Sequence, residues 1–173
     1  MYCNERLGRL DAEEWERKCF VPSFSAVFVR FPFCPHAPVD LQALRPVVRK
    51  QFSWDAWATR IDTQGITIDR PAHSAHPQYP SVIYPMDYGF IPGTVGTVNE
   101  PVDVFLGSGD TGLVGLLLTC DHRAGDREMK LLYDCTPAEV YMAHGFINFD
   151  RSLLEGVLVL RWPMPTLWKE QAP

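Results

Sequence analysis

PVDVFLGSGDTGLVGLLLTCDHRAGDREMKLLYDC, residues 101–135, is the stretch on which the fold turns. It holds three apolar runs separated by Gly, Asp and Ser. PVDVFLGS (101–108) reads as a β-branched strand stopped by a glycine turn. GLVGLLLTCD (112–121) is a nearly unbroken apolar run of strand length, which suits a buried strand. EMKLLYDC (128–135) predicts the next strand.

Downstream, TPAEVYMAHGFIN (136–148) predicts a helix. Thr136 stands at the N-cap, Pro137 at the first helical position, and Glu139 three residues after the cap, as in a capping box. GVLVLRW (156–162) predicts a last strand. Upstream, SWDAWATRID (53–62) predicts a helix capped by Ser53, with Trp54 and Trp57 on one side. GITIDRP (65–71) alternates like a strand and stops at a proline, and IYPMDYGFIPGT (83–94) is aromatic and turn-rich. Many short strands and few helices predict a mainly β (α+β) fold: a small, closed or partly open β-barrel with one or two flanking helices.

Residues 1–50 read differently. Asp11 to Lys18 predicts one short charged helix with Asp11 as N-cap. In VPSFSAVFVRFPFCPHAPVD (21–40), prolines at 22, 32, 35 and 38 argue against any regular element. The expected division is an N-terminal extension, 1–50, and a barrel domain, 51–173.

A chain of 173 residues suits one domain, and 46% hydrophobic residues suit a packed core. A net charge of −5 offers no basic field to nucleic acid or an anionic membrane, but suits a site that gathers divalent cations. The five cysteines, Cys3, Cys19, Cys34, Cys120 and Cys135, form no C-x-x-C pair, so free thiols in a reducing cytosol are expected. No apolar run reaches the ~20 residues of a membrane span. The first twenty residues are too charged for a signal peptide. A cytoplasmic location is expected.

Three constellations can carry chemistry. Tyr84 and Tyr88 flank an aspartate in YPMDYGFIPGT (84–94); phenol hydroxyls donate to phosphate oxygens without adding charge, although such aromatics also serve as core. Glu100, Asp103, Asp121, Asp126 and Glu128 cluster around strand ends, where Mg²⁺ finds hard oxygen ligands, although such positions are also ordinary turns. Lys130, two residues past Glu128, shares its strand face. In IDRPAHSAHP (68–77), Arg70 can grip phosphate through two bonds. His73 and His76 are three apart among prolines, which is not the zinc-helix signature; a polar loop is the plain reading.

These segments, in this order, resemble the soluble (family I) inorganic pyrophosphatases. YPMDYGFIPGT matches the family's Y-P-x-[DN]-Y-G-[FY]-I-P-x-T; NEPVDV (99–104) is similar to D-G-D-P-x-D-V, EMK (128–130) to D-x-K, and DRPAHS (69–74) to E-I-P-x-G-S. The resemblance covers about residues 66–162, and looks closest to a short, divergent bacterial group. It implies an OB-like barrel that hydrolyses inorganic pyrophosphate with Mg²⁺, or Mn²⁺. It implies a metal set of Glu100, Asp103, Asp121 and Glu128. It places Asp69, Arg70, Tyr84, Tyr88 and Lys130 on the substrate, and assigns catalysis to Asp103, Glu100, Lys130 and Tyr88. The expected partners are a small phosphate-containing substrate, with room for a homo-oligomer, and neither nucleic acid nor membrane. Val98 stands where the family has the first aspartate of its cluster, and glutamates 100 and 128 replace two aspartates. The alternative is therefore an impaired or altered relative that binds or hydrolyses another phosphorylated compound.

Overall fold

The computed structural model describes residues 41–96 and 99–168. The helix expected at Asp11–Lys18, the proline-rich segment 21–40 and Val98 lie outside the described residues. Helices α1 (Leu41–Gln51) and α2 (Trp54–Gln64) lead into strands β1 (Thr67–Arg70), β2 (Asp87–Ile91), β3 (Val102–Leu106), β4 (Leu113–Asp121) and β5 (Arg127–Tyr133). Helix α3 (Pro137–Ile147), strand β6 (Leu154–Leu160) and the short α4 (Met164–Leu167) follow. Each strand predicted from the apolar runs is present.

The strands form one six-stranded sheet in the order β1-β2-β3-β5-β4-β6. Only β3 and β5 run parallel; the other pairs are antiparallel. The sheet does not close, since β1 and β6 stand at its two edges, so the fold is the partly open form of the expected barrel. Helices flank both faces. α2 brings Trp57 and Ile61 onto one face with Ile91, Val104, Leu116 and Leu131. α3 brings Val140, Ala143 and Ile147 onto the other, with Phe105, Leu117 and Leu132. Burial on both faces explains why β4 lacks the polar alternation of a half-exposed strand.

α1 runs across the boundary expected at residue 50. Leu41 and Val48 on α1, and Phe52 just after it, are buried. Phe52 stacks on Trp57 at 6.1 Å and meets Trp54 edge-on at 4.6 Å. Ser53 starts α2 but makes no side-chain cap bond, because its own backbone is not in the extended conformation that aims a capping oxygen.

The capping box of α3 is complete. Thr136 accepts from the Glu139 backbone N–H, and the Glu139 carboxylate accepts from the Thr136 N–H at 2.8 Å. The same carboxylate accepts from the backbone N–H of Ser108 at 3.0 Å, tying the β3–β4 loop to the helix start. Burial would raise the Glu139 pKa, but the bonds from Thr136 and Ser108 outweigh it and hold the carboxyl below its ordinary value. A depressed folded-state pKa means stability that is present above the ordinary glutamate pKa and lost as pH falls through the depressed one. Glu139→Gln is therefore expected to destabilise the fold by about 1–2 kcal/mol at neutral pH. The deficit should shrink on acidification. Urea midpoints of both chains from pH 7 down to pH 3 check this; a constant gap would assign the effect to shape rather than charge.

Candidate functional site

Residues directly opposite one another on neighbouring strands point to the same sheet face. Phe90, Asp103, Lys130 and Leu117 form one such row across β2, β3, β5 and β4. Tyr88, Phe105 and Leu132 form the next. Glu128, two residues before Lys130, returns to that face. This is the α3 side of the sheet, and the row converges on one ammonium group.

Lys130 is only 7% exposed. Its Nζ donates to Asp103 Oδ2 at 2.6 Å, to Glu128 Oε2 at 2.7 Å and to the Tyr88 hydroxyl at 3.0 Å. An ammonium has three protons, so every donor is used. Tyr88 in turn donates to Asp103 Oδ2 at 2.5 Å. Burial alone would lower the lysine pKa, but Tyr88, Asp103 and Glu128 raise it well above its ordinary value. The buried cation stays charged. Burial pushes the Tyr88 phenol upward, so it remains a neutral donor. Two carboxylates against one ammonium leave the cluster with a formal charge of −1.

The tyrosine motif builds the adjoining wall. The Tyr84 and Tyr88 rings lie 5.2 Å apart; Tyr88 packs edge-on to Phe105 at 4.8 Å, and Tyr84 meets Phe146 of α3 at 5.3 Å. Arg70 pairs in register with Tyr88 and bonds the neighbouring Asp69 carboxylate at 2.5 Å. Burial raises the Tyr84 pKa, opposed by Arg70 and Lys130. Both cations therefore act on one phenol.

Other motif positions hold the frame. Asp87 Oδ1 accepts from the Ala72 N–H at 2.7 Å, pinning the loop after β1. Thr94 Oγ1 donates to the Ile91 carbonyl at 2.6 Å and accepts from the Val102 N–H at 2.8 Å, fastening β2 to β3. Gly89 faces the backbone of β1: a Cβ there would sit 2.0 Å from the Thr67 carbonyl oxygen. Gly89→Ala is expected to push β1 off the sheet edge, displacing Asp69 and Arg70, at a cost of about 3 kcal/mol. A denaturant midpoint within error of the parent's would show that the approach relaxes freely.

The four carboxylates expected to hold metal do not gather. Asp121 pairs across to Leu154 at the far end of β4, four residues beyond the Lys130 row, or roughly 13 Å at strand rise. Its Oδ1 accepts from the backbone N–H groups of Arg123 and Ala124 at 2.7 and 2.9 Å, which makes it a turn residue of the β4–β5 hairpin. Glu100 is exposed in the turn before β3, where its carbonyl accepts from Gly96 N–H. Among the described residues no group of three or more His, Cys, Asp or Glu side chains is placed to hold a metal ion. Asp103 and Glu128 alone converge. Arg127, opposite Cys120, faces the other side of the sheet from Glu128. Two hard carboxylates still fit Mg²⁺ or Mn²⁺, which is commonly held by one or two carboxylates together with phosphate oxygens.

The family model for inorganic pyrophosphatase matches residues 59–122. No curated protein matches the chain. Among solved structures, an inorganic pyrophosphatase from Coxiella burnetii is similar at 13% identity and a TM-score of 0.45, covering 61% of this chain and 90% of that one. The enzyme from Helicobacter pylori is similar at 16% identity and a TM-score of 0.45, covering 61% of this chain and 88% of that one. That from Thermus thermophilus is similar at 16% identity and 0.39, covering 61% and 84%. Over residues 59–122 the chain is similar to the inorganic pyrophosphatase family. The family match takes in Arg70, Tyr84, Tyr88 and Asp103 and ends before Glu128 and Lys130, the two residues that the sheet register brings to them. No helix among the described residues is long and apolar enough to cross a membrane.

Proposed function

We propose that this chain hydrolyses inorganic pyrophosphate to phosphate with the help of a divalent cation. The observation that carries the reading is the buried Lys130 ammonium shared by Asp103, Glu128 and Tyr88, beside the tyrosine wall. Asp103 and Glu128 are the residues that would hold Mg²⁺ or Mn²⁺. Once bound, the ion would polarise a water and neutralise phosphate charge. Lys130 and Tyr88 supply donors that can turn from Asp103 to a phosphate oxygen as charge develops on it. Asp103, relieved of these two partners, becomes an acceptor for a proton from the attacking water. Arg70 meets the outer phosphate. In this reading Glu100 and Asp121 act at most through water, since neither reaches the Lys130 cluster.

A second reading, binding of a phosphorylated compound without turnover, is favoured by the small number of converging carboxylates. Phosphate release from pyrophosphate, measured with the full chain and with Mg²⁺, Mn²⁺ or chelator, decides between them. Metal-dependent release supports hydrolysis. Tight pyrophosphate binding without release supports the binding reading.

A further inference from the structure

Resting on the reading of this face as a phosphate site, we infer that His76 is a phosphate-binding residue, whose Nε2–H donates to the anion at the end of the site that Arg70 occupies. The loop between β1 and β2 folds into a small hairpin through the bridge between Ala75 and Ile83. Ser74 and His76 flank Ala75, and Tyr84 follows Ile83, so all three project to the side opposite that pair. The His76 ring stacks on Tyr84 at 6.0 Å with only 12° between planes. It therefore extends the Tyr84–Tyr88 wall.

Its chemistry is fixed by the backbone. Nδ1 accepts from the N–H groups of Gln78 at 3.1 Å and Tyr79 at 3.3 Å. In the neutral ring the proton must then sit on Nε2, which becomes a donor. Burial, and then Arg70, lower the pKa of His76, which favours the neutral ring. The same end of the site holds two orphans: Arg70 Nε and Ser74 Oγ are buried and have no hydrogen-bond partner. Buried polar atoms without partners are uncommon and mark places where a water or ligand completes the set. Three unspent polar groups, His76 Nε2, Ser74 Oγ and the Nε of the Arg70 guanidinium, suit a phosphate oxygen. The site is then two-ended, with Lys130 at one end and Arg70 with His76 at the other, which matches a diphosphate better than a single phosphate.

The test is calorimetric titration of the full chain with inorganic pyrophosphate and, separately, inorganic phosphate, for the parent, His76→Phe and His76→Gln, alongside melting curves. His76→Phe keeps the stacked ring and removes the Nε2 donor together with the Nδ1 acceptor; His76→Gln also lacks the Nδ1 acceptor but keeps an N–H near the Nε2 position, so the pair isolates the donor. His76→Phe is expected to weaken pyrophosphate binding about tenfold, the worth of one charge-assisted bond, and His76→Gln to stay within about threefold of the parent. In turnover the phenylalanine variant should raise KM with little change in kcat. Equal affinity for His76→Phe and parent overturns the inference, and so does an equal loss in both variants, which would point to the shape of the ring. If His76→Phe does not fold, the Nε2–H proton resonance of the parent decides: it must shift on adding phosphate, and a fixed resonance overturns the inference. A chain that binds pyrophosphate through His76 but releases no phosphate removes the hydrolytic reading alone. A chain that binds neither anion removes both.

Discussion

Lys130→Met is expected to lower pyrophosphate turnover by about 100-fold or more, the usual loss when one donor aimed at developing charge is removed. It should also weaken inhibition by product phosphate, because in the proposed site the ammonium would serve bound phosphate as well as the reacting one. Stability should change far less, by about 1–3 kcal/mol. Breaking a fully buried pair costs more, but the Asp103 and Glu128 side chains are about a quarter exposed (26% and 29%) and can regain water. Steady-state kinetics with a phosphate inhibition series, beside a denaturant curve, separate the effects. A variant that still binds phosphate as tightly as the parent would reduce Lys130 to a structural cation, there to neutralise two carboxylates.

Asp103→Asn is the second large effect. The substitution keeps an oxygen that can accept from Tyr88 and Lys130, so the fold should hold to within about 1 kcal/mol. It removes the negative charge of one of the two carboxylates that, among the described residues, converge on Lys130 and would hold the ion in the proposed site. Metal-dependent turnover should fall about 100-fold, and the Mg²⁺ concentration for half activity should rise. Titrating activity with Mg²⁺ gives both quantities. An unchanged turnover number at saturating Mg²⁺ would take Asp103 out of the site. The two variants should also be non-additive, because Asp103 and Lys130 share one hydrogen-bond network.

Much of this fold was legible in the chain. Apolar runs bounded by Gly and Asp marked β3, β4, β5 and β6, because strands buried on both faces must be nearly continuous in hydrocarbon. The Thr136–Glu139 capping box marked the start of α3, since four orphan N–H groups there need acceptors. α1 was not legible. It falls in the stretch read as an N-terminal extension with no regular pattern; Pro46 lies inside it, yet the helix persists because Leu41 and Val48 bury its inner side. Spacing alone also placed Glu128 and Lys130 on one face, as the sheet shows.

The carboxylate set was less legible, because proximity in sequence is not proximity in space. Asp121 lies nearer to Glu128 than Asp103 does along the chain, yet it spends its oxygen on the turn of its own hairpin. Asp103 reaches Lys130 only because β3 and β5 run side by side in parallel, a long-range pairing that no local pattern encodes. The use of Asp87 as a loop anchor and the fixed tautomer of His76 likewise depend on contacts made after folding. The sequence by itself determined which residues carry acid, base and phenol, and where strands and the capped helix begin. The tertiary structure alone decided which of those groups meet. Strand composition follows from burial, which is local to each segment, whereas the Lys130 cluster follows from strand order and register, which belong to the whole sheet.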